Sequence, residues 1–197
     1  MLEEKDGKLV QVRASGMSDL LMVVIQQFQH YCLEAIHLKL KYKENLTPEI
    51  ISQECPENKS RTIVAHTFTA MVLEAFYFDY KHGKESKGNA EKWSKQSPLT
   101  QFEQLSTHYL KVENVKDTSL YKTLSDLSKL RKRWVHNQST PLGNYKKDLN
   151  YLTPIGCLDL LIEFFSYFYE HDQECHTAKF TFDILSDIKK QANEPIS

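Results

Sequence analysis

The chain is poor in residues that interrupt helices. Its 197 residues include only six glycines and six prolines, the two residue types that most strongly break a helix. No stretch shows convincing period-two alternation between hairpin turns, the pattern typical of strands. No internal repeat of about 20–50 residues is visible. Long helices are therefore expected, and the sequence predicts an all-α protein.

A strong charge of one sign and a long apolar run are also missing. The net charge is −1, although 26% of the residues are charged, so any binding to nucleic acid must come from a local basic patch. No apolar run is long enough to span a bilayer. The first residues, MLEEKDGKLVQ, lack the basic-then-apolar order of a signal peptide. We expect a cytoplasmic protein that does not associate with membranes.

Cysteine usage argues against a disulfide framework and against zinc. Four cysteines, with no C-x-x-C pair, lie far apart at Cys32, Cys55, Cys157 and Cys175, which favours reduced thiols. His176 follows Cys175, but nothing in the spacing provides further zinc ligands. H-E-x-x-H, P-loop and G-x-G-x-x-G motifs do not occur. We therefore predict no metal site and no cofactor.

Apolar residues at helical spacing organise the chain into an up-and-down bundle of about five main helices. Residues 1–17 are expected to form a flexible lead-in, and 18–192 a single helical domain. Ser18 is the expected N-cap of the first helix, Thr47, Ser97 and Thr153 are those of later helices, and Thr118 and Ser119 are both candidates for the helix that follows them. Residues 60–80 form the expected central helix, 82–96 the expected flexible segment, and Phe180, Ile184 and Ile188 the expected inner face of the last helix.

Two further sets of side chains have a structural interpretation. The run 164–169, FFSYFY, is too apolar to be exposed on all sides, so we assign it to the core or a dimer interface rather than to base stacking. His30 and His66 are interpreted as core or boundary histidines rather than ligands.

The stretch from Thr118 to Asn137 carries the most distinctive pattern. Its apolar residues recur at steps of three and four, which predicts one buried helical face, formed by Leu120, Leu124, Leu127, Leu130 and Trp134. The end of this helix is rich in cations: Lys129, Arg131, Lys132 and Arg133 precede His136. Cations in this position also complement the negative end of a helix dipole, which is the plain alternative to a functional site.

Spacing alone is weak evidence for chemistry here. A second Arg-x4-His pair, Arg61 and His66, lies at the start of the central helix, where the sequence becomes apolar. On a continuous helix Arg131 and His136 would be about 140° apart, so they would not face one site unless the helix ends between them or a second subunit shares the site. Arg131 lies at the edge of the leucine face and is expected either to extend its charged group to the solvent or to meet an acid, for which Glu74 is one candidate.

The helix ending in L-R-x-x-W-V-H-N, residues 130–137, resembles the signature of the HEPN superfamily (higher eukaryotes and prokaryotes nucleotide-binding domains). That signature is an arginine, four to six residues, and a histidine. The preceding helix, AHTFTAMVLEAFYFDY, is similar to the family's helix with an acid inside an apolar, aromatic run. The resemblance covers roughly residues 19–170. It implies an all-α bundle that dimerises with the motif helices facing each other.

The resemblance also implies a function. Active members are metal-independent endoribonucleases with a composite site at the dimer interface. Arg131 and His136 would be the catalytic residues, and Glu74 an orienting acid. Phosphates of the RNA or nucleotide would be held by Lys129, Lys132, Arg133 and Asn137. Such an enzyme would suit a toxin or a defence effector with an antitoxin or other protein partner.

Two alternatives stay open at this point. One is a non-catalytic HEPN-like dimer that binds a nucleotide or a protein, with Lys132 marking lost activity, because many active members have a small polar residue after the arginine. The other is a helical scaffold with no site.

Overall fold

A computed structural model describes residues 2–5, 7–11, 16–136, 143–144, 147 and 152–193. Apart from one short hairpin, this part of the chain is helical, which confirms the all-α prediction. It contains eight α-helices: α1 Met17–Tyr42, α2 Pro48–Glu54, α3 Asn58–Lys84, α4 Lys87–Trp93, α5 Pro98–His108, α6 Ser119–Val135, α7 Pro154–His171 and α8 His176–Asn193. The expected count of about five main helices is therefore not confirmed. No helix in this part is long and apolar enough to cross a membrane.

Hydroxyl side chains begin most of the helices, as predicted. The Thr118 hydroxyl accepts a hydrogen bond from the Tyr121 backbone N–H at 3.1 Å, and Thr47, Ser97 and Thr153 cap α2, α5 and α7 in the same way. The prediction for α1 was wrong: the helix begins at Met17 and its N-cap is Gly16, with no side-chain hydrogen bond. Ser18 lies inside the first turn.

The central helix is α3, as predicted. It packs against α1, α5, α6 and α7, and Phe76 makes edge-on contacts with three rings of α7, at centroid distances of 5.4, 5.2 and 4.8 Å. Those rings, Phe164, Phe165 and Phe168, are fully buried. The three phenylalanines of the aromatic run are therefore core, whereas Tyr167 and Tyr169 are partly buried and pack against that core.

The segment 82–96 is not the loose region that its composition indicated. Helix α3 continues to Lys84, and α4 covers much of the remainder. The Trp93 ring is buried, and its Nε1–H donates to Gln104 Oε1 at 2.6 Å. A single tryptophan thus anchors a segment that otherwise consists of polar and small residues.

The first residues also differ from the expected lead-in. Two strands, β1 Leu2–Lys5 and β2 Lys8–Gln11, pair antiparallel with Leu2 opposite Gln11 and Lys5 opposite Lys8. Gly7 has φ +73°, a conformation that glycine adopts without strain. The Asp6-Gly7 dipeptide is itself a hairpin signal. Strand β1 lies beside α8.

The inner face of α8 was predicted only in part: Ile188 packs against the core as expected, but the other two predicted residues do not. Phe180 and Ile184 are 49% and 36% exposed, whereas Ala178, Thr181 and Leu185 are buried. Both sets have helical spacing, so periodicity could not choose between them. Two of the three inner residues are small, and small side chains allow α8 to lie close to α7.

The two faces of α8 can be told apart by a pair of neighbouring substitutions. Leu185→Ala should lower the free energy of unfolding by about 2–5 kcal/mol because it leaves a cavity in the core. Ile184→Ala should cost less than about 1 kcal/mol, because its side chain keeps access to water. Urea unfolding followed by circular dichroism measures both, and equal or reversed losses would contradict the observed packing.

Candidate functional site

The leucine face of α6 is buried as predicted. Leu120, Leu124, Leu127 and Leu130 are each less than 5% exposed, and the helix packs against α3, α5 and α7. The last helical residue is Val135, and His136 is the C-cap. The basic end of the helix therefore lies at the surface, while the leucine face of the same helix is packed against the core.

A buried histidine holds this helix end. The Trp134 Nε1–H donates a hydrogen bond to His66 Nδ1 on α3 at 3.1 Å. The other ring nitrogen, Nε2, lies within hydrogen-bonding distance of the Leu152 carbonyl oxygen, just before α7. Indole N–H is a donor only, so Nδ1 must accept and Nε2 must carry the proton. One neutral tautomer of His66 thus links α3, the end of α6 and the start of α7.

Burial sets the charge state of this histidine. His66 is 0% exposed, and burial lowers its pKa from the ordinary value, although the hydrogen bond to the Leu152 carbonyl opposes the shift. Protonation would add a hydrogen to Nδ1 where the indole N–H already points. The predicted core role of His66 is confirmed. His30, in contrast, lies exposed on α1 and is not a core residue.

The first Arg-x4-His pair is structural. The Arg61 guanidinium contacts Glu34 and Glu57, each at 3.0 Å, and His66 belongs to the buried junction described above. Within the described residues no hydrogen bond or ion pair joins the two side chains. The surroundings of the two Arg-x4-His pairs differ, although their spacing in sequence is the same.

Arg131 meets the acid expected from its position. Its Nη1 lies 2.7 Å from Glu74 Oε1, with the two side chains 33% and 30% exposed. Burial raises the pKa of the Glu74 carboxyl, and the Arg131 guanidinium opposes that shift. The pair lies at a small, mainly apolar cleft of about 20 Å³ between α3, α5 and α6, whose lining includes Leu73, Tyr77 and Leu99.

His136 does not join this pair within one copy of the protein. It is exposed at the end of α6, and its backbone N–H bonds to the Lys132 carbonyl at 3.1 Å. In the described part of the chain no hydrogen bond or ion pair links it to Arg131. The structure therefore matches the helical geometry that separates the two residues.

The other predicted site residues differ in their surroundings. Lys129 is exposed and pairs with Asp126 at 2.9 Å. Lys132 is exposed and Arg133 is partly buried. Asn137 lies outside the described residues. The two exposed lysines are thus available at the surface beside His136, with one already neutralised by an acid.

Sequence reasoning missed a polar network at the far end of α3. The Tyr80 hydroxyl donates to Asp172 Oδ2 at 2.6 Å, and Lys84 Nζ lies 2.8 Å from the same oxygen. Burial would raise the pKa of Asp172, but the bonds from Lys84 and Tyr80 hold it below its ordinary value. The partners are about 90 residues apart along the chain, so no local pattern could indicate them.

The described residues contain no cluster of three or more histidine, cysteine, aspartate or glutamate side chains that could hold a metal ion. Comparisons with models of protein families, with curated proteins and with solved structures find no match. The interpretation of the site therefore depends on its own geometry and on the resemblance of residues 130–137.

The tautomer of His66 predicts a pH dependence of stability. Its folded pKa lies below the unfolded value of about 6.5, so the unfolded chain takes up a proton first as the pH falls. Stability is then full above about pH 6.5 and declines below it, by at most about 1.4 kcal/mol per pH unit, until the folded pKa is reached.

Unfolding in urea between about pH 7 and about pH 5 measures this decline. His66→Gln is the matched control, because its amide can accept from Trp134 and donate to Leu152 without titrating. The decline should be smaller in that variant. Identical pH profiles for the two proteins would contradict the assignment.

Proposed function

We propose that this protein is a HEPN-like, metal-independent endoribonuclease that acts in the cytoplasm through Arg131 and His136. The observation that carries the proposal is the Arg131–Glu74 contact at 2.7 Å. It joins the arginine of the motif to the acid of the preceding helix, the two features on which the resemblance depends.

The chemistry requires a proton shuttle and a stabiliser of negative charge. The RNA 2′-hydroxyl attacks the adjacent phosphorus, its proton passes to a base, and the bond to the 5′ oxygen breaks as that oxygen takes up a proton. His136 suits both transfers, because an imidazole ring can accept a proton at one nitrogen and donate one. Arg131 offers a planar, permanently charged fork for the phosphorane oxygens.

Glu74 holds the Arg131 guanidinium in place, but the described part of the protein does not occupy all of its N–H donors. Nη1 bonds to Glu74, and the buried Nε has no hydrogen-bond partner among the described residues. Glu74 would therefore orient the arginine, and because the Arg131 side chain is 33% exposed, N–H groups other than the buried Nε would remain for a phosphate. The same carboxylate offsets part of the positive charge, so phosphate binding would need the neighbouring lysines, Lys129 and Lys132, as well.

A complete site would require two copies of the chain. Arg131 contacts α3, whereas His136 is exposed at the end of α6. A two-fold axis that brings the two α6 ends together would place His136 of one copy near Arg131 of the other, the isologous arrangement common among soluble dimers. An antitoxin or another protein partner could cover this exposed end.

The second candidate function is a non-catalytic dimer that binds a nucleotide, an RNA or a protein. Two observations favour it: Lys132 follows Arg131 where many active members have a small polar residue, and Glu74 neutralises part of the charge on Arg131. The third candidate is a helical scaffold with no functional site, in which the basic residues at the end of α6 only complement the helix dipole.

RNA cleavage in the presence of EDTA tests the first candidate. Wild type should cleave, and His136→Ala should be slower by about 100-fold or more, because the proton-transfer group is gone. Arg131→Ala should lose activity similarly. His171→Ala is the matched control, since His171 is also an exposed histidine at the end of a helix, α7, and it should keep wild-type activity.

The outcomes separate the three candidates. Equal cleavage by wild type and His136→Ala would reject the assignment of the catalytic residue. Absence of cleavage by the folded protein, together with RNA binding that Arg131→Ala weakens, would favour the binding module. If neither substitution changes cleavage or binding, the basic residues at the end of α6 only complement the negative end of the helix dipole. Circular dichroism of each variant verifies folding.

A further inference from the structure

Helix α1 carries an apolar stripe that faces away from the core. Met22, Leu33 and Leu40 are 51%, 60% and 71% exposed. At about 100° per residue these three positions fall within about 20° of one another. The opposite face of the helix is buried through Leu21, Val24, Ile25 and Phe28. One helix thus has two apolar faces, and only one of them is covered.

The spacing of the exposed face is that of a helix-pairing seam. Met22, Gln26, Gln29, Leu33, Ile36 and Leu40 follow one another at alternating steps of four and three residues. This is the heptad spacing that keeps one seam facing a partner helix. Gln26 and Gln29 are exposed and Ile36 is partly buried. The seam, as these six residues are called below, is most apolar in its second half.

The seam is also symmetric when its direction is reversed. Because it begins and ends with a step of four, an antiparallel copy of α1 places Met22 opposite Leu40, Gln26 opposite Ile36, and Gln29 opposite Leu33. Each contact then occurs twice about a two-fold axis, which is the property that an isologous interface requires. A second copy of this chain therefore fits the seam in register.

The charges of α1 favour the antiparallel direction. Asp19 lies in the first turn, and Lys39 and Lys41 lie in the last turn. Antiparallel pairing brings Asp19 toward the end of the second copy that carries Lys39, and it opposes the two helix dipoles favourably. Lys41 is already paired with Glu54 of its own copy at 2.8 Å. Parallel pairing would instead place like charges side by side at both ends.

We propose that the seam of α1 is an interface at which two copies of this chain pair antiparallel. The interface is small: its 19 residues, from Met22 to Leu40, extend over about 27 Å, whereas a standard interface buries about 800 Å² per partner. The dimer is therefore weak and concentration-dependent.

This interface is independent of the proposed ribonuclease site. Helix α3 packs against α1 on one side and against α6 on another, so a copy docked on α1 does not complete the pair formed by Arg131 and His136. Loss of the α1 dimer and loss of RNA cleavage are consequently separate outcomes, and neither implies the other.

Sedimentation velocity over micromolar to submillimolar protein tests the proposal. Wild type should associate further as its concentration rises, through the seam and in addition to any pairing of the α6 ends, and Leu33→Glu with Leu40→Glu should weaken this association by about 10-fold or more. The matched control is Phe180→Glu with Ile184→Glu, which changes two exposed apolar residues of α8 and should leave the dimer unchanged. A wild type that stays monomeric, or a seam variant that dimerises like wild type, would overturn the proposal.

Cysteine cross-linking tests the register, with the wild-type chain as the baseline for its native cysteines. Met22→Cys mixed with Leu40→Cys should give an interchain disulfide under mild oxidation, because the two positions face each other. Each variant alone should cross-link no more than wild type. Efficient cross-linking of Met22→Cys alone would indicate parallel pairing and overturn the antiparallel arrangement.

Discussion

The position of the motif helix depends on one buried hydrogen-bonded junction. His66 accepts a hydrogen bond from the Trp134 indole N–H and donates one to the Leu152 carbonyl, so a single imidazole links three parts of the chain that are far apart in sequence. Each group is satisfied only while His66 is neutral. Removal of the indole would leave Nδ1 buried without a donor, at a cost of about 1–3 kcal/mol. The junction thereby fixes the position of the backbone that carries the surface residues on either side of Trp134.

Two consequences follow for function. The junction fixes the last turn of α6, and the Arg131–Glu74 pair fixes the guanidinium one turn earlier. His136 lies just past the helix end, at the surface. A preorganised arginine and an accessible histidine that do not meet within one copy suit a site completed by a second chain. The same arrangement also suits a module that only binds phosphate or protein, which is why cleavage and binding must be measured separately.

Local features of the fold were predictable from the sequence, because their causes are local. Thr-Pro and Ser-Pro pairs determine helix starts, and the leucine spacing of α6 identifies its buried face. The Arg131–Glu74 contact could be anticipated because an arginine at the edge of an apolar face needs an acid. The inner face of α8 could not be anticipated, since both apolar stripes of that helix have helical spacing and the neighbouring helix decides between them. The Trp134–His66 bond spans 68 residues, and sequence spacing contains no information about it.

The most direct test of this account is the tautomer of His66, observed through the ring nitrogen and proton chemical shifts of a nitrogen-15-labelled protein as the pH is lowered. The account predicts a neutral ring with the proton on Nε2, which stays neutral below the ordinary histidine pKa of about 6.5, while exposed His136 serves as the comparison within the same chain. A proton on Nδ1, or protonation of His66 at the ordinary pKa, would contradict the junction on which the placement of the motif helix depends.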